Sequence, residues 1–303
     1  MKIIDAHAHA FKDLCGFGAD GELRAIGNGQ AQWATGQVTQ IIPPGYGQRS
    51  FTIKALLRLM DAHQVEKAVL LQGGFLGFAN TYVREAIDAY PDRLQGAGTF
   101  DPFCRHATQI LDNLLGPMHF RIFKFEVSVG CGIMGNHPDF PLDGEMMMPF
   151  YQRIADRNGV VAFDLGSPGD GSNQPKAIAH IAKSFPSLQI VVCHLGSPRL
   201  GQKTLFEEGM RIMQADNIHF DLAALFWKVR PEAYPFPTAR QYAVFAKDLV
   251  GADHLMWGSD APSTVCKVDY QQQLAYLMPL FTAEEQRLVF HDNALNLYFA
   301  QRD

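Results

Sequence analysis

Cysteine is scarce in this 303-residue chain, and what there is does not pair up: Cys15, Cys104, Cys131, Cys193 and Cys266 are an odd number with no Cys-x-x-Cys spacing. That argues against a disulfide framework and for a reducing compartment, the cytoplasm. Charge is thin as well. Charged side chains make up 19% of the residues, the net charge is -5 and no run of like charges occurs, so the footprint of a nucleic-acid or anionic-membrane binder is missing. No apolar stretch reaches membrane-spanning length. The first ten residues lack the charged segment, apolar segment and small-residue cleavage site of a secretory leader, and read instead as a strand. What is present is a chain with 47% hydrophobic residues, enough for a large core, whose expected partner is a small molecule.

Short β-rich runs alternate with helical patterns along the whole sequence. The runs fall at residues 2–6, 67–71, 94–100, 120–126, 160–165, 188–194, 218–222 and 255–259, which makes eight strands. Between them, spacings such as Ile53, Leu56, Leu57 and Met60 give a helix one buried face. Eight alternations predict a (β/α)8 barrel, an α/β fold, over 1–303 as a single domain, with a doubly wound open sheet as the alternative. Long excursions come after the first strand (10–50), the fourth (127–145) and the seventh (223–237). Each lies on the face where barrels build their sites, so they are expected to wall a substrate pocket. The tail, 282–300, reads as one or two helices closing the outside of the barrel.

The chemistry begins at Asp5-Ala6-His7-Ala8-His9. Histidines at i and i+2 on a strand point to one side, so His7 and His9 should project together into the barrel mouth, where two ligands of a divalent metal can converge. Farther on, Phe163-Asp164-Leu165-Gly166-Ser167-Pro168 is echoed thirty residues later by Cys193-His194-Leu195-Gly196-Ser197-Pro198. That is about one strand-helix unit, so Asp164 and His194 should occupy equivalent places on neighbouring strands. The last strand ends in Trp257-Gly258-Ser259-Asp260-Ala261-Pro262 and brings a further carboxylate to the same level. In this reading His7, His9 and Asp260 hold one divalent ion, zinc first and manganese second, with Asp164 or His194 completing the shell. Asp260 also moves a proton from water to the leaving group, and His194 stabilises charge on a polarised carbonyl or acts as base.

These motifs, with the closing Asp292-Asn293-Ala294-Leu295-Asn296-Leu297-Tyr298, resemble the amidohydrolase superfamily. More narrowly they resemble the branch of aminocarboxymuconate-semialdehyde decarboxylase, resorcylate-type decarboxylases, pyrone-dicarboxylate lactonase and sugar lactonases. The resemblance implies a distorted (β/α)8 barrel, a mononuclear divalent metal in many members, and small carboxylated aromatic or lactone substrates. It matches His7 and His9 to the first-strand ligands, Asp260 to the eighth-strand ligand and acid/base, and His194 to the sixth-strand histidine. The chain departs from the pattern on strand five, where metal-dependent members commonly carry histidine in place of Asp164. Some lactonases of the group work without a metal, which leaves a metal-free site open.

Other residues have two readings each. Arg49, at the end of the first excursion, is either a bidentate partner for a substrate carboxylate or a solvated arginine. Lys124 and Glu126 face one way on strand four and could enter the site; in other amidohydrolases a lysine there is carboxylated and bridges two metals. Asp221 is either an orienting partner for a ligand or a loop cap. Asp5 should lie on the side of His7 and His9, one layer deeper, and Cys193 should face outward because His194 faces in. His63, His106, His119, His137, His180, His219, His254 and His291 are expected to be structural. The leading function is metal-dependent hydrolysis of a small carboxylated substrate, a lactone or related C–O or C–N bond. The alternatives are metal-dependent non-oxidative decarboxylation and ligand binding without catalysis, and a homodimer is the default assembly.

Overall fold

The computed structural model describes residues 1–300. In chain order the elements are β1 (Ile3–Ala8), β2 (Gly16–Gly18), β3 (Gly21–Gly27), β4 (Gln30–Trp33), β5 (Val38–Gln40), α1 (Ile53–Ala62), β6 (Val65–Leu70), α2 (Asn80–Ala89), β7 (Leu94–Gly98) and α3 (Ala107–Leu115). They continue with β8 (Ile122–Glu126), α4 (Ile133–Asn136), α5 (Met148–Ala155), β9 (Val160–Asp164), α6 (Pro175–Ser184), β10 (Gln189–Val192) and α7 (Lys203–Ile212). The last are β11 (Ile218–Asp221), α8 (Leu225–Lys228), α9 (Pro237–Val250), β12 (Leu255–Met256), α10 (Tyr270–Ala275) and α11 (Ala283–Arg287). Eight of the strands pair in parallel in the order β1-β6-β7-β8-β9-β10-β11-β12. Hydrogen bonds from Ala6 N to Trp257 O (3.0 Å), Asp260 N to His7 O (2.7 Å) and His9 N to Ala261 O (2.9 Å) join the two ends of that order, and the expected (β/α)8 barrel results.

Alternation along the strands sorts the core into two bodies. Ile190, Val192, Val161, Phe163, Ile218 and Phe220 pack outward against helix residues such as Ile178 and Phe206. Ile4, Ala6, Val69, Ala97, Ile122, Val160, Ala162 and Val191 form a separate inner cluster. The end of the chain belongs to that inner cluster too. After the capping box of α11, Thr282 with Glu285, the backbone turns π-helical at Leu288–Asp292 and Leu295–Phe299, and Ala294, Leu297 and Tyr298 join the interior residues. The tail thus plugs the barrel instead of covering its outside.

The first excursion is more ordered than its composition suggests. Residues 16–40 contain the antiparallel sheet β2-β3-β4-β5, whose Leu23, Ala31 and Trp33 are buried and whose edge is tied down by Phe17 N to Gly74 O (2.9 Å) and Ala19 N to Gly130 O (2.7 Å). The excursions after β8 and β11 hold the short helices α4 and α8. No helix among the described residues is long and apolar enough to cross a membrane.

Two breaks in strand regularity set the directions of site residues. The β1–β6 register shifts between Asp5 and Ala8. Asp5 therefore leaves the side of His7: it accepts hydrogen bonds from Ser259 N (2.8 Å), Ser259 Oγ (2.5 Å) and Tyr270 Oη (2.5 Å), and Tyr270 and its neighbour Trp257 belong to the outer layer. The second break comes after β10, where His194 and Leu195 take left-handed backbone angles (φ 56° and 51°). Strand alternation ends at Cys193, which points inward with Val191, and His194 reaches the mouth by the turn. Cys193 facing in and Asp5 facing out both reverse the expectation from simple alternation.

Closure leaves no room at Gly258, where a Cβ would lie 2.7 Å from His7 Cβ and 2.9 Å from His7 N. Gly258→Ala should therefore push β1 away from the last strand and destabilise the protein by about 1–3 kcal/mol, read as a lower melting temperature. An unchanged melting temperature would show that the seam is looser than its geometry.

Candidate active site

Strand ends and the turns after them carry the site. His7, inside β1, donates from Nδ1 to Asp221 Oδ2 at 2.9 Å, both groups being buried. Asp221 ends β11, and its Oδ1 accepts the backbone N–H of His194 (2.7 Å) and of Ala223 (3.1 Å). It thus orients the His7 imidazole and caps the loop at once. His9, just past β1, places Nε2 2.9 Å from Asp260 Oδ1, and the rings of His7 and His9 meet edge to face at 5.1 Å. His194 stacks on His7 at 4.8 Å and gives its Nδ1 proton to Ala223 O at 2.9 Å. Asp260 holds its place from a left-handed backbone (φ 58°).

The strand-five and strand-four residues form a pair. Lys124 Nζ lies 2.9 Å from Asp164 Oδ2 and 3.4 Å from His7 Nε2, while His194 Nε2 is 3.6 Å from the same Asp164 oxygen. Lys124 has the geometry of an ammonium in an ion pair, which leaves the carboxylated, dinuclear arrangement without support. Glu126, next in line on β8, accepts from Phe75 N at 3.1 Å in a space that only Gly73 allows, since a Cβ there would meet Glu126 Oε2 at 2.2 Å.

Above these groups opens a cavity of about 1180 Å³. His9, Lys124, Glu126, Asp164, His194 and Asp260 line its floor, and all three predicted excursions contribute walls: Thr39 and Gln40, Ser128 to Cys131, and Trp227, Lys228, Arg230 and Pro231. Arg49 is exposed and does not line the cavity; the excursion runs through the β2–β5 sheet and delivers that residue elsewhere. The cations at the mouth are Lys228, Arg230 and Lys267, none of which makes an ion pair among the described residues. Arg230 stacks on Trp227 at 3.5 Å and Lys267 approaches the same ring at 5.7 Å. Sequence reasoning misses this group, although Trp227-Lys228-Val229-Arg230 directly after the strand of Asp221 is a legible signal. None of the eight remaining histidines lines the cavity.

A divalent cation suits this donor set. His7, His9 and Asp260 offer ligand atoms within 4.8 Å of one another, and the Asp221 bond to the far nitrogen of His7 is the support that metal-bound imidazoles usually have. Four carboxylates, Asp164, Asp221, Asp260 and Glu126, stand against one lysine. Asp164 belongs to a different set, with His7 and His194, and its Oδ2 is engaged by Lys124.

Residues 4–300 match the family model Amidohydro_2, described as amidohydrolase. The chain belongs to this amidohydrolase family. No curated protein matches it. Among solved structures, an amidohydrolase from Burkholderia multivorans with bound HEPES superposes at TM-score 0.73 with 16% identity, covering 99% of this chain and 100% of the other. The zinc-bound form gives TM-score 0.73 at 14% identity with the same coverage. A probable 2-pyrone-4,6-dicarboxylic acid hydrolase from Acinetobacter baumannii, with citric acid bound, reaches 0.68 at 19% identity over 98% of this chain and 99% of that one. A 5-carboxyvanillate decarboxylase from Sphingomonas paucimobilis reaches 0.55 at 14% identity over 81% and 82%. At such identities these likenesses show the barrel fold.

Burial and charge divide the roles of titratable groups in this amidohydrolase. Burial lowers the His7 pKa to about 4 and also lowers that of His9, so both imidazoles are neutral and fit to be ligands. Burial opposes ionisation of Asp221, but His7 and the His194 amide outweigh it and its pKa falls to about 2. Asp260 stays ionised well below the usual carboxylate range, because the hydrogen bond of His9 and the charge of His194 overcome its burial. For His194, burial and Lys228 favour the neutral ring, yet Asp164 and Asp221 prevail and raise its pKa. Burial raises Glu126 to about 7, against the pull of Lys124 and with the push of Asp164 and Asp260.

Glu126 therefore retains a proton in the fold between its usual 4.5 and about 7, where the unfolded chain has lost it. The folded state binds more protons across that window, so this contribution to stability falls as pH rises through it. Thermal melts of wild type and Glu126→Gln from pH 4.5 to 8 should show the variant losing that decline; parallel curves would mean that Glu126 ionises normally.

Proposed function

We propose that this amidohydrolase opens a small carboxylated substrate at a lactone or related C–O or C–N bond. The observation that carries the reading is the meeting of His9, Asp260 and His194 on the floor of a cavity, with His7 buried against them, below a mouth that bears Lys228, Arg230 and Lys267, cations without an ion pair among the described residues. A divalent ion bound by His7, His9 and Asp260 would supply Lewis acidity and a water acidic enough to attack near neutral pH. Two imidazoles and a carboxylate favour zinc, with manganese second, and the Burkholderia relative binds zinc.

The chain's own groups provide the rest. Lys228 and Arg230 draw the substrate carboxylate to the rim, which turns its reacting carbonyl toward the floor. His194, with Nδ1 fixed on Ala223 O and its Nε2 proton shared between Asp164 and the cavity, donates to the oxyanion as the carbonyl is attacked. Asp260, ionised and 20% exposed, takes the proton of the attacking water and returns it to the leaving oxygen or nitrogen. The five free cysteines fit a cytoplasmic setting.

A panel of carboxylated lactones and hydroxybenzoates, followed for acid release and for CO2, decides the reaction. Acid release from a lactone is expected; CO2 from a hydroxybenzoate would replace hydrolysis by decarboxylation on the same floor. On the substrate so found, Asp260→Asn should cut kcat by about a thousandfold, and a variant retaining most of its turnover would remove Asp260 from the chemistry. Arg230→Ala should raise KM about tenfold while leaving kcat within a few-fold; an unchanged KM would take the rim out of substrate binding.

A further inference from the structure

Lys124 takes no part in the steps above, yet it is 2% exposed and its ammonium stands in the middle of the site. Its backbone is fixed, with Thr99 Oγ1 donating to Lys124 O at 2.9 Å, and β8 runs in parallel register with β9 so that Glu126 faces Asp164. Nζ is 2.9 Å from Asp164 Oδ2 and 3.4 Å from His7 Nε2. Because His7 gives its Nδ1 proton to Asp221, Nε2 carries a lone pair, and Lys124 points a proton at it. Through that same lone pair His7 would join His9 and Asp260 around a divalent ion. One lone pair serves one cation. Lys124 is moreover bonded to two of the three members of the His7, Asp164 and His194 set, so it fills a place where a cation is wanted.

We propose that Lys124 is a tethered internal cation that competes with a divalent ion for His7 Nε2, holding the site in shape without the ion and loosening its retention. The inference rests on the metal-binding reading of His7, His9 and Asp260. Two effects act together: the ammonium occupies the lone pair, and its charge repels a second cation a few ångströms away. Once released from His7, Lys124 keeps Asp164 and has two N–H groups free for a substrate oxygen. Ion uptake and anion binding should then reinforce each other.

The test reads metal affinity and needs no substrate. Chelator-stripped wild type, Lys124→Met, Asp164→Asn and the Lys124→Met/Asp164→Asn double variant are titrated with Zn²⁺ against a chromophoric chelator. Lys124→Met should bind zinc about tenfold tighter than wild type or better. The double variant should exceed Asp164→Asn by a similar factor, which separates loss of the ammonium from release of the Asp164 carboxylate. Lys124→Met leaves Asp164 buried without its partner; should it fail to fold, the double variant, which buries neither charge, carries the comparison with Asp164→Asn. Zinc binding that is unchanged or weaker without Lys124 overturns the proposal and leaves the hydrolase reading standing. Zinc uptake by the lysine-free variants with none by wild type upholds the competition and removes the metal from the wild-type reaction. No uptake by any of the four proteins overturns both.

Discussion

Closure of the barrel between its first and last strands is the constraint on which the site depends. β12 has only two residues, too few for a ladder, so the seam is built from the turn that leaves it. Asp260 N bonds to His7 O, His9 N to Ala261 O, and Asp5 collects Ser259 N, Ser259 Oγ and Tyr270 Oη from the outer side. These bonds bring Asp260 to His9 across most of the chain length. Asp5 is fully buried, so little water reaches this junction, and that burial raises its pKa to about 6 in spite of its donors. A carboxylate so placed is held by its partners, and its partners are held by it.

Charge on the floor is arranged around that seam with little slack. The two first-strand imidazoles are kept neutral by burial, while Asp221 and Asp260 are kept ionised by hydrogen bonds. Lys124 stays protonated because Asp164 and Glu126 outweigh its burial. Each group is in the state that its neighbours need: a protonated His7 would repel Lys124, and a neutral Asp221 could not fix the His7 tautomer. The rim obeys other rules. Lys228, Arg230 and Lys267 lie on connections after strands, with Trp227 as a flat support, and of the three Lys228 also acts on the floor, where its charge favours the neutral His194 ring.

Much of this is legible in the sequence, and the parts that are not have physical reasons. Strand count, barrel class, the meeting of His7, His9, Asp164, His194 and Asp260, and the three wall-forming excursions all come from periodicity and from motifs at strand ends. Alternation misplaces Asp5 and Cys193 because it assumes an unbroken strand, and the register shift in β1 and the left-handed turn at His194 each change the side that a residue faces. The β2–β5 sheet is hidden by a Gly- and Gln-rich composition that resembles loop. Arg49 escapes placement because its position depends on how that sheet folds back. The pairing of Lys124 with Asp164 links two strands and has no local sequence signature.

That pairing bears on the one departure from the family pattern. Where the resemblance leads one to expect a neutral histidine on strand five, Asp164 puts a carboxylate that is 8% exposed. An isolated charge there would be costly to bury, and the cost is met by an ammonium on the adjacent strand at 2.9 Å. The exchange therefore involves two residues: aspartate without lysine leaves a buried anion, and lysine without aspartate leaves a cation against His7 and His194. Since Lys124 also reaches His7 Nε2, a change of residue on strand five reaches the strand-one imidazole that is proposed as a ligand. The path runs through a single side chain, which under the proposed competition gives the floor one internal charge by which its affinity for an external one is set.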